Sequence, residues 1–169
     1  MKIVNFLEGT HAGVGGVGLI GAFFTCRALA ERGHDVVAHV AGPVAPGFEP
    51  HVVAGVTAGQ RGRQRPTFRP RFRIVSYRAF GRWAFAPGLA ARAATASDAD
   101  FVLLHSLYSF PVAAGYAASR LDGTPYAQYL HGVLAPFQRS VSARKKAVYD
   151  RLIGRRILDD AAFLVFTDR

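Results

Sequence analysis

Ile3-Val4-Asn5-Phe6-Leu7 is followed by a loop that closes on Gly13-Val14-Gly15-Gly16-Val17-Gly18. The first run is apolar apart from Asn5 and predicts a buried strand. The loop runs from Glu8 to Gly18 and is dense in glycine. Leu19 to Arg32 predicts a helix, because Leu19, Ile20, Phe23, Cys26 and Ala30 recur at helical spacing while Arg27, Glu31 and Arg32 mark the wet face. Gly33 is a natural helix stop, and Asp35 to Ala41 reads as a second strand. Strand, loop, helix and strand in this order open a parallel sheet with crossover helices.

The rest of the chain extends that pattern. Asp100 to His105 predicts a strand, Phe110 to Leu121 a helix, Tyr126 to His131 a strand closed by Gly132, Ser140 to Asp160 a long helix, and Ala162 to Phe166 a last strand. In the long helix Tyr149, Leu152, Ile153 and Ile157 are expected inward. Lys145, Lys146, Arg151, Arg155 and Arg156 are expected outward. Between the two regular parts lies a stretch rich in proline and arginine. Residues 58–72 read as a mobile basic loop, Phe72 to Tyr77 as a strand and Pro87 to Ala96 as a short helix. The fold class is therefore a Rossmann-like three-layer α/β/α sandwich with a mostly parallel sheet, in a single domain of 169 residues.

Composition narrows the setting. Half of the residues are hydrophobic, which is a globular composition. The single cysteine, Cys26, cannot form an intrachain disulfide and falls on a buried helix face, so a cytoplasmic setting is the default. Residues 9–26 lack charge over a length that approaches a membrane span. Their glycines cluster at the front, and a loop followed by a buried helix accounts for them. The net charge of +10 favours anionic partners.

Several chemistries find no support. A glycosidase needs two opposed carboxyl groups, and most acids here fall in turns or on helix faces. No histidine pair has zinc-ligand spacing, so no metal is expected. No nucleic-acid motif accompanies the basic loop. The segment Gly13 to Gly18 fits G-x-G-x-x-G between a strand and a helix. A dinucleotide site also wants an acid closing the second strand; Asp35 opens that strand, and its far end is Val40-Ala41-Gly42. Ligands of a parallel sheet bind beyond the carboxyl ends of the strands. His11 in the loop, and His105 and His131 at two strand ends, are expected to converge there; Glu8 lies where the first strand meets the loop and is a candidate contact for an acceptor hydroxyl. His34, His39 and His51 read as structural.

The order of motifs resembles family 4 of the GT-B glycosyltransferases. The matching residues are Gly15-Gly16-Val17-Gly18, Gly33-His34-Asp35-Val36, Phe101 to Ser106, Pro125 to Gly132 and the basic helix Arg144 to Asp160 followed by Ala162 to Thr167. The resemblance implies the acceptor-side, N-terminal half of an enzyme that transfers a sugar from a nucleoside-diphosphate-sugar to an acceptor hydroxyl with retention of configuration. It places His131 beside the transferred sugar as the catalytic residue, and Gly15 and Gly16 near the donor diphosphate. His105, Glu8 and His11 are further substrate-binding candidates. No cofactor is implied beyond the donor. The implied partners are a glycan or lipid-linked acceptor, the enzyme's C-terminal nucleotide-sugar domain and an anionic membrane surface, with peripheral attachment at its inner face. The chain departs from the family in carrying Leu19 and Ile20 where a basic residue is usual. It ends at Thr167-Asp168-Arg169, where the family continues into a helix, so truncation is expected and the fragment alone should be inactive. A dinucleotide-binding oxidoreductase domain using NAD(P) or FAD and a non-catalytic anion-binding module are the alternatives.

Overall fold

The computed structural model describes residues 1–9, 17–44, 52–53, 72–93 and 98–166. Among the described residues seven strands form one sheet: β1 (Lys2–Glu8), β2 (Asp35–Ala41), β3 (Val52–Val53), β4 (Phe72–Tyr77), β5 (Phe101–His105), β6 (Tyr126–Tyr129) and β7 (Phe163–Val165). Their spatial order is β3-β4-β2-β1-β5-β6-β7, and every pair is parallel. The Rossmann-like α/β architecture expected from the sequence is present. Strand β3 was not anticipated, because its two residues lie inside the proline-rich stretch. The expected loop at 58–72 lies outside the described residues except for Phe72, which opens β4.

Side chains alternate across the sheet with period two, and this divides the core. Ile3, Leu7, Val36, Val40, Ile74 and Leu103 pack with Phe23 and Cys26 of α1 (Val17–Glu31) on one face. Val4, Phe6, Val102 and Leu104 pack on the other. There they meet Leu89 of α2 (Pro87–Ala93), Val112 and Tyr116 of α3 (Phe110–Asp122), and Ile157. Strands covered on both faces read as near-continuous apolar runs, as β1 does. Cys26 is fully buried, and burial pushes its thiol up to about 12, so it is an inert core residue. Helix α3 starts with a proline in its first turn and stops at Gly123, whose φ of 68° supplies the left-handed cap.

Strand order reverses between β1 and β5. The chain moves outward from β1 to β2 and on to β3 at the edge, comes back to β4 between them, then crosses to the other side of β1 and moves outward again. Ligands of parallel sheets bind at such a reversal, beyond the carboxyl ends of the strands, here those of β1 and β5.

The expected long helix at 140–160 is broken. Helix α4 (Pro136–Ser140) is followed by a kink at Ser142, whose φ is 58°. Helix α5 (Ala143–Tyr149), a π-helical turn (Asp150–Gly154) and α6 (Arg155–Asp159) then run on continuously. The amide of Arg155 donates to the carbonyl of Asp150, five residues back. This extra residue per turn shifts the helical phase. Ile157 is fully buried as expected, but Leu152 is 70% exposed, against the expectation that it faces inward.

Close packing makes a test of the α3–sheet contact. A methyl group on Gly115 would lie 2.6 Å from both the Phe6 ring and a Leu104 methyl, so α3 can approach the sheet only through glycine. We expect Gly115→Ala to lower the unfolding free energy by about 1–3 kcal/mol through overpacking, measured by urea denaturation. An unchanged midpoint would show that α3 is free to move off the sheet.

Candidate functional site at the strand ends

The carboxyl ends of β1, β5 and β6 carry Glu8, His105 and Tyr129. Glu8 is half-buried, and the next residue, Gly9, donates its amide to the carbonyl of Ala41 at 2.8 Å. A Cβ on Gly9 would lie 2.2 Å from the carbonyl oxygen of Pro43, so the chain leaves β1 through a gap that admits only glycine. His11, Gly15 and Gly16 lie outside the described residues. At the end of β2, Ala41-Gly42 supplies no carboxylate for a ribose.

His131 does not close β6, as the sequence suggested, but sits in the turn beyond it. The strand ends at Tyr129, and the amide of Val133 donates to the carbonyl of Leu130 at 2.9 Å. The two central residues of this turn, His131 and Gly132, have φ of 44° and 72°. Positive φ at both central positions defines a type I′ turn. Glycine accepts it freely, whereas histidine is an unusual occupant held there by its surroundings. The end of β5 has a counterpart: Ser106, just past His105, has φ of 73°. Its amide donates to the carbonyl of Tyr129 at 2.8 Å. Buried Gln128 donates its side-chain amide to the carbonyls of Ser106 and Tyr129, tying the two exits together.

His105 and His131 thus come together, as expected. Nδ1 of His105 is 3.1 Å from Nε2 of His131, and their rings stack with centroids 5.4 Å apart. Nε2 of His105 is 3.1 Å from Oδ1 of Asn5 in the middle of β1. The Tyr129 ring stacks on both imidazoles, at 4.9 and 5.7 Å. Asn5 and His105 are fully buried, whereas His131 is half-buried. Burial, followed by the neighbouring His131, lowers the pKa of His105 to about 3. Burial also lowers that of His131. Both imidazoles are therefore neutral near pH 7, and His131 acts as a hydrogen-bonding group and not as a cation.

Two contributors escaped the sequence reading. Asn5 was visible only as the polar exception in an apolar strand, and Gln128 sits the same way between Ala127 and Tyr129. A lone polar residue in a buried strand requires a partner, and that was the available signal. His39 is structural, as expected: it lies on the opposite face of the sheet, 2.9 Å from the Tyr77 hydroxyl. Burial, followed by Arg92, Lys2 and Arg73, lowers its pKa to about 4. His34 lies in the α1–β2 turn, and His51 is outside the described residues. Among the described residues no group of three or more His, Cys, Asp or Glu is placed to hold a metal ion.

A family profile described as a glycosyl transferase 4-like domain matches residues 25–169. Among curated proteins none matches the sequence significantly. The fold is similar to crystal structures of HepE from Anabaena. In complex with UDP-glucose the TM-score is 0.59 at 17% identity, over 97% of this chain and 36% of HepE. In complex with UDP it is 0.58 at 17% identity, over 97% and 37%. In complex with UDP and glucose it is 0.56 at 18% identity, over the same shares. The chain thus spans a little over a third of HepE's length, and at this identity the likeness shows the shared fold.

Buried neutral histidines have a consequence for stability. Folded His39 and His105 take up protons only near pH 4 and 3, whereas in the unfolded chain they do so near 6.5. Their contribution is complete above about pH 6.5 and is lost progressively as pH falls below it, because the unfolded state binds the extra protons. Urea unfolding between pH 7 and 5 should show stability falling by up to about 1.4 kcal/mol per pH unit for each histidine. His39→Gln should remove about half of that slope. A flat profile would mean that the imidazoles are hydrated in the folded protein.

Proposed function

Because the chain belongs to the glycosyl transferase 4-like domain family, we propose that it forms the acceptor-side half of a retaining hexosyltransferase. The donor is a nucleoside-diphosphate-sugar, and the acceptor is a hydroxyl of a glycan or lipid-linked glycan. In the reaction the bond from the anomeric carbon to the diphosphate oxygen breaks, and the nucleoside diphosphate leaves with the electron pair. A new bond forms to the acceptor oxygen, whose proton passes to the leaving diphosphate or to water. The observation that carries the reading is His131, held at positive φ in the turn beyond β6 and hydrogen-bonded from behind by buried His105. Backbone strain of this kind clusters where a side chain must be presented in one orientation. UDP and UDP-glucose in the HepE structures support a nucleotide-sugar donor.

In this reading His131 hydrogen-bonds the transferred sugar. Gly15 and Gly16 border the diphosphate. Glu8 and His11 contact the acceptor. A second α/β domain completes the donor site, so residues 1–169 alone are inactive. We expect His131→Ala, in an enzyme carrying both domains, to lower kcat about tenfold or more with little change in KM, since a transition-state contact appears in kcat. Unchanged kinetics with a lower Tm would return His131 to a packing role. Turnover of UDP-glucose by residues 1–169 alone would overturn the two-domain reading.

The partner side of the proposal is an anionic membrane at which a lipid-linked acceptor is met, on its cytoplasmic face. Helices α4 and α5 have no fully buried residue, and only Tyr149 at the end of α5 packs in part against the core. Phe137, Val148 and Leu152 are 75%, 59% and 70% exposed, interspersed with exposed Arg144, Lys145, Arg151 and Arg155. Apolar and basic side chains sharing one exposed helical surface suit the headgroup layer of a bilayer. No described helix is long and apolar enough to cross a membrane. The arginines at 61, 63, 65, 69 and 71 lie outside the described residues. We expect the protein to co-sediment with phosphatidylglycerol vesicles but not with phosphatidylcholine vesicles. Binding should be lost at about 0.5 M salt, where the screening length is roughly half its physiological value. Leu152→Asp should weaken binding without changing the Tm, because Leu152 is exposed. Equal binding to both vesicle types would exclude the charge-led docking.

A further inference from the structure

The hydrogen-bond chain Asn5–His105–His131 has a direction. With the Asn5 amide placed so that its Oδ1 faces Nε2 of His105 at 3.1 Å, that oxygen can only accept, and Nε2 carries the hydrogen. A neutral imidazole has one N–H, which leaves Nδ1 of His105 with a lone pair. The contact from that nitrogen to Nε2 of His131, also 3.1 Å, then requires His131 to donate. His131 is neutral as well, so its remaining nitrogen, Nδ1, has only a lone pair to offer.

We propose that Asn5, acting through buried His105, locks His131 in its Nε2-protonated tautomer, so that Nδ1 accepts a hydrogen bond from a hydroxyl of the bound sugar. Asn5 and His105 are positioning residues, since both are fully buried. The tautomer also sets specificity. A lone pair attracts an O–H donor and repels the oxygen of a phosphate, so the position beside His131 selects a sugar hydroxyl over the donor's diphosphate. Register puts Asn5 where this is achievable. Asn5 pairs with Leu103 across the β1–β5 ladder. His105, two residues on, projects from the same face of the sheet. Stacking by Tyr129 on both rings keeps the imidazoles nearly parallel, 18° apart, so the nitrogens stay in line.

This inference rests on the glycosyl-transfer reading only for the identity of the hydroxyl; the tautomers can be read without any activity. In the protein labelled with ¹⁵N-histidine, two-bond ¹⁵N–¹H correlation at pH 7 should show both His105 and His131 protonated at Nε2 and bare at Nδ1. Asn5→Asp retains an acceptor, so His105 should stay protonated at Nε2. Asn5→Leu removes the acceptor, and His131 should become a mixture of tautomers. A wild-type spectrum with His131 protonated at Nδ1 would overturn the proposal, and that measurement needs no substitution. So would an Asn5→Leu protein that folds and keeps both tautomers. If Asn5→Leu does not fold, wild type and Asn5→Asp together decide: loss of the Nε2 proton of His105 in Asn5→Asp counts against the lock, and its retention supports it. In the two-domain enzyme Asn5→Leu should lower kcat severalfold with KM little changed. Tautomers as expected, alongside unaltered turnover in His131→Ala, would leave the lock standing and remove the catalytic reading.

Discussion

The double pairing of β1, with β2 on one side and β5 on the other, is the constraint on which the rest depends. It makes β1 the innermost strand, buried from Ile3 to Leu7. It also makes the β1–β5 seam the place where strand order turns around. Every residue argued to act at the site is located relative to that seam. Asn5 is within it, His105 ends its second strand, and His131 follows the next strand out. Moving β1 by one residue would carry Asn5 to the opposite face and leave His105 Nε2 without an acceptor in the core. An unpartnered buried polar group of that kind costs about 1–3 kcal/mol, so the hydrogen bond that orients the site also disfavours a register slip.

The regular part of the fold could be read from the chain because local signals and tertiary context agree there. β2 and β4 occupy the spans expected of them, since alternating or continuous apolar runs bounded by turn residues leave little choice. Helix α3 runs one residue beyond the expected Leu121 and is capped by Gly123 in the left-handed conformation. Disagreement arose where the decisive contact is remote. The phase of the 143–159 helix is set by a π-helical turn, and helical periodicity counts residues at a constant angle. Leu152 was therefore assigned to the wrong side. The two-residue strand β3 is too short to carry a pattern of its own and exists because β4 offers it an edge.

The site was legible to a different degree. Parallel-sheet logic brought His105 and His131 to one end of the sheet, and the structure puts them in contact. It could not show that His105 is sealed inside, because burial at a strand end depends on what packs over it. Nor could it distinguish a histidine at the end of a strand from one in a left-handed turn just beyond. Asn5 was visible but mute: a polar residue in a buried strand announces a partner without naming it. The partner lies a hundred residues away in sequence and is adjacent only because β5 returns to β1.

The π-helical turn at Asp150–Gly154 separates two helical pieces that answer to different demands. After it, α6 must deliver Ile157 to the core; before it, α5 has no fully buried residue and touches the core only through the partly buried Tyr149 at its end. Because one residue corresponds to about 100° of helical rotation, deletion of a single codon within the turn would restore ordinary α-helical spacing. The arm ahead of it would swing through that angle while leaving α6 in place. Insertions and deletions here are thus a discrete dial on which face of the arm meets its surroundings, set independently of the core. Related chains could differ in surface chemistry along this helix without any substitution in the residues that hold the sheet together.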